Sequence, residues 1–119
     1  MFGLFRKRKK KPLPTRVARD GETVRVFVDT QEIESFVWRD VASVRAWKQD
    51  CWGVDRVWLG FDILESGEPV CLHEEMEGYQ EVVAEMQRRC PGYRQDWWHV
   101  AAFPAFAPNH TLVWEKPKS

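Results

Sequence analysis

Val57-Trp58-Leu59-Gly60-Phe61-Asp62-Ile63-Leu64 is the stretch whose reading sets the fold. Val57, Leu59, Phe61 and Ile63 alternate with Trp58, Gly60, Asp62 and Leu64, the period of two that sends successive side chains to opposite faces of a strand. A central strand over residues 57–63 follows. Downstream, Glu65-Ser66-Gly67-Glu68-Pro69 is a turn, because Gly67 can take a positive φ and Pro69 lacks the N–H that a central ladder needs. Residues 70–74 are then the return strand. Upstream, Asp50-Cys51-Trp52-Gly53 has hairpin-turn chemistry, which makes residues 40–49 the partner of the central strand. That stretch also fits a helix, through Val41, Val44 and Trp47 at three-residue spacing. The missing stop signal before Asp50 favours a strand entered through a bend at residues 40–43.

Working outward, Val24, Val26 and Val28 alternate with Arg25, Phe27 and Asp29 after an Asp20-Gly21 turn, and Ile33, Ser35 and Val37 alternate with Glu34, Phe36 and Trp38, so two further strands pair. Tyr79, Val82, Val83, Met86 and Cys90 fall at i, i+3, i+4, i+7 and i+11, the stripe of an amphipathic helix. Arg88 and Arg89 near its end suit the macrodipole, Glu81 to Glu85 are expected on the solvated side, and Pro91-Gly92 stops it. Asp96 is an N-cap candidate for a short helix through Trp97, Trp98, Val100 and Ala101 that must end before Pro104. Phe103 and Phe106 bracket an Ala/Pro linker expected across the core, and residues 111–115 read as a short last strand. The expectation is an α+β fold: a strongly bent antiparallel sheet of five or six strands, one main helix in the C-terminal half, and a Trp-rich segment packed over them.

Charge divides the chain. Arg6, Lys7, Arg8, Lys9, Lys10 and Lys11 form an unbroken cationic run, and residues 1–16 hold seven of the 18 Lys and Arg but no Asp or Glu. Residues 17–119 therefore carry 11 cations against 18 anions, a balance of −7 hidden by the formal zero. Residues 1–16 read as a basic, disordered tail and linker, stiffened by Pro12 and Pro14, and residues 17–119 as a single globular domain. The whole chain has 44% hydrophobic residues with seven Trp and seven Phe, and all seven Trp and five of the Phe fall in that domain, apolar surface enough for one core. No apolar run approaches the roughly 18 residues of a membrane span, and Pro12 and Pro14 stand where a signal peptide needs its apolar stretch.

Catalytic patterns are missing. There is no glycine-rich phosphate loop, GxSxG or HExxH. Cys51, Cys71 and Cys90 are an odd number without CxxC spacing, which argues against a disulfide framework or a zinc ribbon and suits a reducing cytoplasm. Cys71 and His73 share a strand face two residues apart, but two ligands do not make a metal site. The expected arrangement there is a small buried Cys beside a surface His. No metal, cofactor or catalytic residue is assigned.

The cationic run has three readings. Beside an anionic inner-membrane surface each Lys or Arg contributes on the order of 1 kcal/mol, and Phe2, Leu4 and Phe5 can insert next to it. As a nucleic-acid arm it would work against the acidic body, which makes nucleic acid an unfavoured partner. Otherwise it is a solubilising tail. Of the adjacent Trp97 and Trp98, which point to different sides of a short helix, an exposed one is a candidate contact for a protein partner.

Phe36-Val37-Trp38-Arg39-Asp40-Val41, with residues 44–48, the strand at 57–63 and the helix at 79–90, resembles the small bacterial pleckstrin-homology-like domains over residues 23–90. The likeness rests on apolar patterning and carries over no ligand residue. It implies a binding scaffold without enzymatic activity. Residues 93–115 depart from it by adding a Trp-rich segment and a strand after the helix. The whole chain also looks like small proteins common in bacterial genomes, which implies a cytoplasmic location. The expected function is a non-enzymatic binding or adaptor domain, peripheral at the inner membrane through its basic tail. The alternative is an acidic inhibitor or immunity-type protein that neutralises a basic toxin or nuclease.

Overall fold

The alternation at Val57 becomes β5 (Val54–Ile63), an interior strand of a four-stranded antiparallel sheet. The computed structural model describes residues 13–51, 54–103 and 110–118. β5 pairs on one side with β4 (Val41–Cys51), from Val41↔Ile63 to Cys51↔Val54, and on the other with β6 (Val70–His73). Of residues 40–49, all from Val41 onward thus resolve as strand. β7 (Thr111–Glu115) pairs with the far edge of β4, so residues 111–115 complete this sheet, in the order β6-β5-β4-β7.

A single bent sheet of five or six strands was expected, and the structure corrects this. β1 (Arg16–Asp20), β2 (Thr23–Val28) and β3 (Gln31–Val37) form a separate three-stranded sheet. The cause is the corner after β3. Val37 is still extended, Trp38–Asp40 tightens into a 3-10 turn, and β4 leaves without pairing with β3. Two backbone bonds clamp the corner, Trp38 N–H to the Glu22 carbonyl at 3.0 Å and Leu64 N–H to the Asp40 carbonyl at 2.7 Å. Trp38 turns into the core, edge-on to Phe36 and Phe61 at 5.5 and 5.8 Å, and Phe36 stacks on Phe61 at 5.0 Å. Three aromatic rings therefore join the two sheets where their hydrogen-bond ladders part.

β1 starts one residue ahead of the expected body and was not foreseen as a strand, since Val17 is its one large core residue. Its place comes from pairing. Residues 16–20 run antiparallel to β2, and Thr15 and Val17 also bond the backbone of Glu77 on the opposite side.

α1 (Tyr79–Arg89) covers the core faces with the expected stripe of Tyr79, Val82, Val83 and Met86, followed by buried Cys90. The solvated side does not extend to Glu85, whose side chain is 4% exposed. Lying one turn on from Val82, it flanks the stripe where Arg19 arrives from β1 at 3.6 Å, and Arg88 and Arg89 close on it from α1 itself. α2 (Trp97–Ala102) buries Trp97 and Ala101. Asp96 stands at the N-cap but makes no side-chain cap, because its carboxylate is bound to Arg94 Nε at 2.6 Å, which holds its pKa below the ordinary value. Phe103 is 53% exposed, and the Ala/Pro linker expected across the core lies outside the described residues with Phe106, as do Arg6–Lys11, Phe2, Leu4 and Phe5.

Candidate functional site

Strand register places Arg45 and Trp47 of β4, Arg56, Trp58, Gly60 and Asp62 of β5, and Cys71 and His73 of β6 on the face of the four-stranded sheet turned away from α1. Rings cross this face strand by strand. His110 lies parallel to Trp47 at 5.5 Å, Trp47 parallel to Trp58 at 6.4 Å, and His73 packs against Trp58 at 4.9 Å. Gly60 makes room for this row, since a Cβ there would stand 2.7 Å from the Trp47 ring. Beside the rings, a groove of about 380 Å³ is lined by Arg45, Trp47, Gly60, Asp62, Pro69 and His110, together with Gly67. Its carboxylate is already engaged. Asp62 Oδ2 accepts from Ser43 Oγ at 2.6 Å and from Arg45 Nε at 3.0 Å, so the hydroxyl faces a carboxylate held by a cation.

Cys71 and His73 invert the sequence expectation. His73 is 3% exposed and Cys71 is the part-exposed one. His73 Nδ1 accepts the Glu75 backbone N–H at 3.2 Å, which leaves Nε2 as the protonated nitrogen facing the Pro14 carbonyl at 2.9 Å. The imidazole therefore pins the chain where it enters the fold from the basic segment. Burial pushes its pKa below the ordinary 6.5, with Arg56 acting in the same direction; the Pro14 bond and the Glu75 and Glu74 charges pull it back only in part. With the folded value depressed, the unfolded chain takes up the proton first as pH falls. Stability should be full above about pH 6.5, fall as pH drops from there through the folded value, and then level off. Urea midpoints measured from about pH 7.5 to 5 check this, and His73→Gln should flatten the slope in that window.

Among the described residues no group of three or more His, Cys, Asp and Glu is placed to hold a metal ion. Cys90 is no nucleophile, since burial pushes its thiol up to about 11. No helix among the described residues is long and apolar enough to cross a membrane. No protein-family model, curated protein or solved structure matches this chain.

Trp97 and Trp98 divide as their positions on a short helix require. Trp97 is core, while Trp98 is 43% exposed, donates Nε1 to Glu74 Oε2 at 3.3 Å, and meets Phe103 edge to face at 6.1 Å. His99 completes this patch at 4.9 Å from Phe103. Glu74 is itself fixed, its other oxygen accepting the Val57 N–H at 3.0 Å. Consecutive residues at the end of β6 thus anchor two features: His73 holds the root of the basic segment and Glu74 holds the exposed aromatic patch. Sequence reading passed over Arg56, yet its register was legible, because it stands two residues before Trp58 and so shares that face.

Proposed function

We propose that this chain is a non-enzymatic binding module that attaches to an anionic membrane surface through Arg6 to Lys11, aided by Phe2, Leu4 and Phe5, and presents its acidic body to a protein partner. The observation that supports the reading lies at the end of β6, where His73 binds the carbonyl of Pro14, three residues after Lys11 in the sequence, and Glu74 binds the indole of the exposed Trp98. Cations attract anionic headgroups, and exposed Trp and Phe favour the level of the headgroups.

Sedimentation with vesicles of phosphatidylcholine, alone or with about a third phosphatidylglycerol, tests the proposal. The full chain should bind the charged vesicles and not the neutral ones, and high salt should release it. Replacing all six residues from Arg6 to Lys11 by Gln should weaken binding by at least about a hundredfold. Equal sedimentation of the two proteins would remove the membrane claim. A second reading, inhibition of a basic toxin or nuclease, is favoured by Glu75, Glu77 and Glu81, all exposed around the start of α1. Under that reading the six substitutions leave function intact.

A further inference from the structure

We infer that the outer face of the four-stranded sheet contains a binding site for a phosphate-type oxyanion, built on the Arg56 guanidinium and the Trp58 indole N–H. Arg56 Nε, Arg56 Nη1 and Trp58 Nε1 are buried, and among the described residues none of them meets an acceptor. Trp58 is only 8% exposed, so its N–H has little recourse to water. Buried donors are ordinarily satisfied, and a guanidinium cannot shed its charge to escape the cost of burial. The other unpartnered buried side-chain atoms, Trp38 Nε1 and Tyr79 Oη, are neutral and belong to core residues. Arg56 is the charged exception, and it lies on the opposite face of the sheet from α1.

Two carboxylates, one in β5 and one just after β6, are committed elsewhere. Asp62 is held by Arg45 and Ser43, and Glu74 by the Val57 N–H and Trp98. An oxyanion supplies what the site lacks, because a guanidinium edge matches two oxygens at once and a third oxygen can take the indole N–H. His73, against Trp58, fixes the Pro14 carbonyl, and Lys11 is three residues before Pro14. A phospholipid headgroup and free phosphate share this chemistry. The headgroup as source rests on the membrane reading above, whereas the anion site does not.

The test uses the full chain, with sodium phosphate compared against sodium chloride at matched ionic strength. Phosphate should move the Arg56 Nε–Hε cross-peak in nitrogen–proton NMR spectra and raise the melting temperature of the native protein but not of Arg56→Gln. On phosphatidic acid vesicles, Arg56→Gln should bind about tenfold more weakly. If phosphate acts but the native protein ignores vesicles, the site stands with free phosphate as its ligand and the membrane reading falls. If vesicles bind both proteins equally and phosphate leaves the Arg56 resonance unmoved, the site is overturned while the tail reading survives. Equal stabilisation of both proteins by phosphate is a general salt effect and also overturns it. Should Arg56→Gln fail to fold, the native resonance decides alone, and a stationary cross-peak refutes the proposal.

Discussion

Gly78→Ala is expected to destabilise the fold by about 3–5 kcal/mol, enough to leave much of the chain unfolded at ordinary temperature. Two effects act at this residue. Its φ is +87°, a left-handed conformation that costs a side-chain-bearing residue roughly 1–3 kcal/mol. A Cβ would also stand 2.0 Å from the Val17 carbonyl oxygen and 3.2 Å from its carbon. Both are backbone atoms of β1, so no rotamer change relieves the contact. The strand cannot retreat cheaply either, because Glu77 accepts the Val17 N–H at 2.9 Å and donates its own N–H to Thr15 at 3.1 Å. The added methyl therefore opens the seam between β1 and the start of α1. Urea titration should show the midpoint falling, and hydrogen exchange should speed up at Val17 and Glu77 before the centre of β5. A change of less than about 0.5 kcal/mol would mean that β1 moves aside at no cost.

Where apolar residues repeat with one clean period, the fold could be read from residue types. Leu59 and Phe61 in β5, and Val82 and Met86 in α1, are all fully buried as that period requires. The reading failed where burial is decided by a distant segment. Residues 16–20 have one large core residue and became a strand because β2 and Glu77 flank them. His73 and Cys71 share one face by period, yet the chain at Pro14 bonds to the first of them, and nothing local to β6 encodes that difference. Trp58 likewise stands on the face opposite Leu59 and is still nearly buried, since rings from neighbouring strands stand beside it. A period of two names a face without saying what lies over it. The candidate site fell into that gap: its strand positions followed from the sequence, while the orphaned donors of Arg56 and Trp58 emerge only once the chain is folded.

Glu85→Ala is expected to cost about 2–3 kcal/mol, with Glu85→Leu milder. Removing one member of a buried ion pair commonly costs about 3–5 kcal/mol because the remaining charge is stranded. Here that cost is reduced, since the Arg88 and Arg19 side chains are 69% and 40% exposed and can turn to water. Arg89 is the constrained partner. It keeps a two-pronged bond to Glu22 at 2.8 Å on each arm and lies over the Trp38 ring at 5.8 Å, so without Glu85 it stays fixed at the corner with one carboxylate instead of two. Leucine would restore the volume beside Val82 and should recover part of the loss. A double-mutant cycle between Glu85→Ala and Arg19→Ala separates the terms, because Arg19 is the member of the cluster that comes from β1. Coupling near zero would show that β1 and α1 are joined by the Glu77 seam alone. Coupling of about 1 kcal/mol or more would show that the buried carboxylate fastens the same strand from its other end, so that β1 is held against α1 at both Val17 and Arg19.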